Sequence, residues 1–343
     1  MLKSFLGCVG KTMEGSGLEE VIGIMYGSNT AQHIMSRGAF AKAIRFNILL
    51  DAAFVYVILK DMMSDFTGAI SIESFKDSIN DIKREFMNKL EELSETSRTA
   101  RLWVQFHKMV TIVKNFIRAE REHDWELHIA TVSAMLTYFA ACGHGHYAKA
   151  SRIYLQTMVD LRDDHPHIWS CCIRGAHTIR YSEKNWCAVW SDLAIEQTLM
   201  RAAKSQGGLS MGRLRDPFTG LAHLRWVLTL SHFASINHAL ASHQQALVKP
   251  HRDCSEKLMS KDFEILHKLI NWLKEHNSLE PVENPGMIIS LSTGLMTLSA
   301  DVNADNAHEI GLEIQTGLDG KVMTDTIPTK NLKPLSNLQK RRK

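Results

Sequence analysis

Asp192 and Glu196 stand four residues apart in SDLAIEQTLMRAAKSQGGL, Ser191 to Leu209. On a helix that spacing sets both carboxylates on one side. Converging carboxylates are what Mg²⁺-assisted phosphoryl transfer requires, because the ion takes oxygen ligands in near-octahedral geometry. An ordinary solvated helix carries the same spacing, so the pair by itself assigns no activity. A second group, Cys142-x-His144-x-His146, has ligand types suited to zinc. Its other half would come from His165, His167, Cys171, Cys172, His177 or Cys187, and no two of these have zinc-finger spacing, so no metal is expected there. Asp51 lies in an apolar run and reads as an outward residue, a partner for Arg45 or a distant cation, or a catalytic carboxylate. Arg98, Arg101, Lys108, Lys114, Arg118 and Arg121 form a basic flank, either a solvated face or a contact for DNA phosphates. Trp103 and Phe106 in the same segment have the spacing of core residues, with base stacking as the alternative.

The elements that carry these groups read as helices. Ser191 caps a helix running to Lys204, and Gly207-Gly208 closes it; Trp186 and Trp190 stand at its entry. Ser16 and Glu19 have the spacing of a capping box. From Gly38 to Met63 a stripe of Phe40, Ile44, Ile48, Ala52, Val55 and Leu59 predicts a buried helix. Helices are also predicted at 73–93, 99–122, 124–141, 147–161, 168–177, 235–248, 255–276 and 303–317. In the helix at 255–276, Leu258, Phe263, Leu266, Ile270 and Leu273 share one face. The expected fold is mainly α, a multi-helix globular body with little or no sheet. Its expected divisions are an N-terminal helical region (1–95), a central helical domain (96–277), a short C-terminal segment (278–320) and a basic disordered tail (321–343).

Composition narrows the class. The 343 residues are 45% hydrophobic and 22% charged, as in ordinary globular proteins. The net charge of +3 is uneven: residues 321–343 carry seven Lys/Arg and one Asp, net +6, leaving −3 on the body. Bulk charge therefore does not make the body a nucleic-acid surface. Six irregularly spaced cysteines, two of them adjacent, form no disulfide framework and suit a reducing, intracellular compartment. The longest apolar run, Ile48 to Leu59, is twelve residues with Asp51 inside it, too short to span a bilayer. Lys340 to Lys343 is a basic cluster of the nuclear-import kind. Phosphate-binding glycine loops, a nucleophile-elbow serine motif and a zinc-protease motif are all missing, which argues against those enzyme classes. No small-molecule substrate is evident.

Several segments together resemble a large, multicopy family of invertebrate proteins that looks derived from transposable elements with a ribonuclease H-like catalytic domain. The segments are Ser4–Val21 (SFLGCVGKTMEGSGLEEV), Ser97–Arg121 (SRTARLWVQFHKMVTIVKNFIRAER), W-x-L-H-x9-Y-x-A-A-x-G-H-x2-Y from Trp125 to Tyr147, and Ser191–Leu209. At Cys142 and His146 the chain departs from the residues the resemblance leads one to expect, and at His144 it agrees. The resemblance implies that helices from Gly38 to His177 form an insertion, and that the C-terminal part of the domain follows. Glu196 would be the last catalytic acid and Asp192 its helper, both vestigial. The earlier acids would lie upstream of Met1, which falls where an internal methionine is expected. On this resemblance the chain is a catalytically silent, N-terminally truncated fragment without a cofactor, Mg²⁺ belonging only to a complete relative. The alternative is a helical interaction or scaffolding module without enzymatic activity, whose partner the sequence does not name.

Overall fold

Ser97 accepts the backbone N–H of Ala100 on its Oγ at 3.1 Å, which satisfies one of the amides left open at a helix start. Helix α6 follows from it. The computed structural model describes residues 1–35, 39–64, 72–180, 186, 188–190, 256–276, 286–294, 304–323 and 330–339. The helices are α1 (Leu2–Thr12), α2 (Leu18–Tyr26), α3 (Ser28–Met35), α4 (Phe40–Ser64), α5 (Ile72–Thr96), α6 (Arg98–Glu122), α7 (Trp125–Ala141), α8 (Gly145–Asp164), α9 (Pro166–Ile173), α10 (Glu256–Glu275), α11 (Ala307–Thr316) and α12 (Leu335–Gln339). Strands β1 (Thr178–Arg180) and β2 (Ala188–Trp190) pair antiparallel, Ile179 opposite Val189; β3 (Val322–Met323) and β4 (Lys330–Asn331) form a second two-stranded pair. The fold is mainly α. Among the described residues no helix is long and apolar enough to cross a membrane.

The residues group into two units built from separated stretches of chain. The first comprises Met1–Ile117, Leu127–Pro166 and Ser260–Lys343; the second comprises Arg118–Glu126 and His167–Met259. Within the first, Phe5, Phe46, Phe54, Trp103, Phe106, Tyr138 and Phe139 form the centre of the core, each 2% exposed or less. Trp103 lies 6.5 Å from Phe54 and 6.3 Å from Trp272, ring centre to ring centre, so three helices meet on it. Backbones close in wherever the side chain is absent: a Cβ on Gly311 would stand 1.8 Å from the carbonyl oxygen of Thr137. Helices α7 and α11 therefore touch main chain to main chain at that point.

Several sequence expectations need correction. The start of α2 is capped at Gly17 with φ 96°; Ser16, one position earlier, accepts the Leu18 N–H at 3.3 Å and donates to the Met13 carbonyl at 2.7 Å. In α4 the buried apolar residues are Ala43, Phe46, Leu50, Ala53, Phe54 and Ile58, and Asn47 and Asp51 are buried with them, while Phe40 and Ala52 are exposed. Apolar residues occur on more than one side of this helix, so its neighbours decide which side is covered. In α10 only the C-terminal half is buried, through Leu269, Ile270, Trp272 and Leu273, and Phe263 is 58% exposed. The tail also departs from the expected disorder. Leu332, Leu335 and Leu338 are buried, and the fully buried Arg152 of α8 donates to the Gln315 and Lys333 carbonyls and to Asp319. Three leucines and one guanidinium outweigh the polar composition around them, the guanidinium donating to two carbonyls and a carboxylate at once.

Candidate functional site

Asp192 and Glu196 lie outside the described residues, as do the predicted helix carrying them and Cys187. The described candidates converge on α6. Its N-terminal half points polar side chains at a stretch nearly two hundred residues downstream. Arg98 donates to Asp305 at 2.7 Å and Arg101 at 3.3 Å, and the Asp305 side chain is 0% exposed. That hydrogen bond holds the Arg98 guanidinium above its ordinary pKa, against burial. Thr99 donates to the Met287 carbonyl at 3.3 Å and accepts from the Ile289 N–H at 2.9 Å. Gln105 donates to the Ala304 carbonyl at 2.6 Å and accepts the His308 N–H at 3.3 Å.

One turn after another, the same helix answers Asp51. That carboxylate is 0% exposed and sits in the middle of α4. Its Oδ1 lies 2.7 Å from His107 Nδ1, and its Oδ2 accepts from Lys114 Nζ at 2.6 Å. Of the three readings of Asp51, the distant cation is the one observed; Arg45 instead forms a bidentate pair with Asp262 of α10. The ring of His107 packs between Phe54 and Phe86, at 6.2 and 5.8 Å. A carboxylate accepting from Nδ1–H leaves Nε2 as a base, the arrangement that orients catalytic histidines. Among the described residues no hydroxyl or thiol is hydrogen-bonded to His107, and the trio ties α4 to α6.

The basic flank is largely committed inside the chain. Besides Arg98, Arg101 and Lys114, Arg118 pairs with Glu122 at 2.7 Å and Arg121 donates to the Ala188 carbonyl at 3.3 Å. Among the described residues only Lys108 of the six makes no such contact. Trp103 and Phe106 are both 0% exposed, which places them in the core and away from any base. The Cys142-x-His144-x-His146 group is turned apart: the buried Cys142 thiol faces the Cys8 carbonyl at 3.9 Å, His144 lies against Phe139 and Tyr147, and His146 is exposed. Among the described residues no three His, Cys, Asp or Glu side chains are grouped to hold a metal ion.

Residues 1–343 as a whole match one protein family, Domain of unknown function (DUF8702). The chain belongs to that family. No curated protein and no solved structure matches it. In this DUF8702 chain, periodicity alone missed Arg152, Asp305 and Gln156, which donates to the Asn331 carbonyl at 2.8 Å, because a polar residue's distant partner leaves no trace in local spacing. It also missed Tyr138, whose hydroxyl is held above its ordinary pKa by burial foremost, and by Glu309 and Cys142. In the second unit, the Trp125 ring lies tilted against His177 at 5.1 Å and meets Trp169 edge-on at 6.2 Å. His123 there takes φ 62° and its Nδ1 meets the Thr178 hydroxyl. Burial and the neighbouring Arg180 charge hold the His123 imidazole below the ordinary histidine range.

Proposed function

We propose that this chain is the helical body of a transposase-like, ribonuclease H-like protein, and that it is catalytically silent as it stands. The observation that carries this reading is the use made of charge along α6. Cations that would otherwise meet DNA phosphates instead neutralise Asp51 and Asp305, carboxylates buried among helices. Such groups hold a frame together and leave little of the flank for nucleic acid. The four segments resembling transposon-derived proteins support the origin, and a body of helices from α4 to α9 is in keeping with the implied insertion. Asp192 and Glu196 remain the vestigial acids of this reading, supplying one corner of a two-metal site. The basic Lys340–Lys343 cluster is proposed as a nuclear-import signal. Its test is substitution of those four residues alone, since residues 330–339 are part of the packed structure; an unchanged distribution of a tagged protein removes the nuclear reading.

The test of function is metal-dependent DNA cleavage and strand joining with Mg²⁺ or Mn²⁺. No cleavage is expected from the 343-residue chain. Cleavage that disappears in Glu196→Gln would refute silence. Where coding sequence continues in frame upstream, cleavage by the extended protein, lost in the same variant, supports the transposase-like origin; an inert extended protein counts against it. A scaffolding role is the second reading, favoured by the 58% exposure of Phe263 on α10. It predicts self-association or partner binding that Phe263→Ser abolishes in sedimentation.

A further inference from the structure

Two thiols stand side by side at the end of α9, Cys171 and Cys172, both free and half-buried. Arg174 Nη2 donates to Cys171 Sγ at 3.5 Å on the open side of the helix, which marks that sulfur as the one an oxidant reaches first. Cys172 is the opposite case: burial, and then the nearby Cys171, hold its thiol above the ordinary cysteine pKa. The main chain of the same two residues closes the helix. Ala176 N–H donates to the Cys171 carbonyl at 3.0 Å and Gly175 N–H to the Cys172 carbonyl at 2.9 Å, with Gly175 at φ 89°. This is the six-to-one and five-to-two pattern that satisfies the last carbonyls of a helix. Helix α9 is only eight residues long and buries none of them, so its cap is a large part of what holds it.

We infer that Cys171 and Cys172 form a peroxide-responsive dithiol whose oxidation opens the C-terminal cap of α9. The hydroperoxide ROOH gives one oxygen to the Cys171 thiolate, which with one proton becomes the sulfenic acid and ROH. The Cys172 thiol then attacks that sulfur, expelling water, and an S–S bond closes. The oxidant is reduced by two electrons, and the two thiols supply them. Neighbouring side chains on a helix diverge by ~100° and do not face each other. A disulfide needs their β-carbons within about 4.5 Å. The ring therefore closes only when the 171–172 peptide leaves helical geometry, and both cap hydrogen bonds go with it. Reduction by a thiol restores the helix end.

The experiment treats the full chain with hydrogen peroxide and maps tryptic peptides. Residues 163–174 form one fragment holding both cysteines and no other. The expected result is that fragment lighter by two hydrogen atoms, with faster amide exchange at Gly175 and Ala176. In Cys172→Ser, dimedone should trap a sulfenic acid at Cys171, at roughly ten times the yield trapped at Cys172 in Cys171→Ser. Arg174→Met should slow the reaction. A fragment that keeps two free thiols while other cysteines oxidise overturns the inference, as does Cys171 joined to Cys187 or Cys254. Unchanged exchange at Gly175 and Ala176 in the oxidised chain overturns the coupling to the cap.

Discussion

Lys114→Met should destabilise the chain more than Asp51→Asn, although both remove the same ion pair. Asp51 has a side chain 1% exposed, whereas Lys114 is 39% exposed. Deleting the ammonium leaves a buried carboxylate with His107 as its only described partner. Breaking a buried pair in this sense costs about 3 kcal/mol. Deleting the charge of Asp51 leaves the Lys114 ammonium, which can swing towards water, and the loss falls to about 1–2 kcal/mol. Replacing both, as Asp51→Leu with Lys114→Met, removes the desolvation cost together with the attraction. That double variant should lie within about 1 kcal/mol of the parent. Urea denaturation at neutral pH gives all the values, provided the denaturant slopes agree among the variants. An Asp51→Asn variant less stable than Lys114→Met would refute this account of where the burden of burial lies. So would a double variant whose loss equals the sum of the single losses.

Gly311→Ala should cost about 3 kcal/mol, because its Cβ would stand 1.8 Å from the Thr137 oxygen, while Gly23→Ala, with open space around it, should stabilise α2 by up to about 1 kcal/mol; thermal melts of both variants check the contrast. His123 binds a proton less readily in the folded chain than unfolded. Its contribution is therefore full above the ordinary histidine value and lost as pH falls below about 6.5. Protection of the Thr178 and Ile179 amides, taken relative to the intrinsic exchange rate at each pH, should fall on acidification, and His123→Asn, which tolerates the positive φ, should flatten that response. Arg152→Met should remove the bonds from the guanidinium to the Gln315 and Lys333 carbonyls and to Asp319, and expose the C-terminal segment to protease within 317–339; resistance equal to the parent's would mean that the three leucines suffice.

Helix positions were the legible part of this sequence. The expected 99–122 helix is observed at Arg98–Glu122, and the expected pair at 124–141 and 147–161 at Trp125–Ala141 and Gly145–Asp164. Their apolar spacing and bounding residues act within a few turns, the range that a single sequence records. Buried faces were legible only in part: Trp103 and Phe106 of α6 are buried as expected, whereas the expected stripe of α4 includes the exposed Phe40 and Ala52. Charge pairing was the least legible. Asp51 meets a histidine 56 and a lysine 63 positions away, and nothing near Asp51 distinguishes that outcome from a solvated acid. The tail's leucines at 332, 335 and 338 were a readable sign of packing, hidden by the lysines among them.

The clamp between α6 and the stretch around Asp305 sets an order of events during synthesis. Arg98 and Asp305 are separated by 207 positions, and Gln105 reaches the Ala304 carbonyl across 199. A ribosome that has made α6 still has most of the chain to add before those side chains meet their partners. Until then Arg98, Arg101 and Gln105 are held in water, and the core around Trp103 lacks Trp272 and its neighbours. Folding of the first unit thus waits until the stretch around Asp305 has been made, with a loop to close that spans over half of these residues. A stop codon far downstream would accordingly damage the beginning of the chain as much as its end. During the wait the apolar helices α4 and α6 are the surfaces on which a chaperone, or another nascent copy, would act.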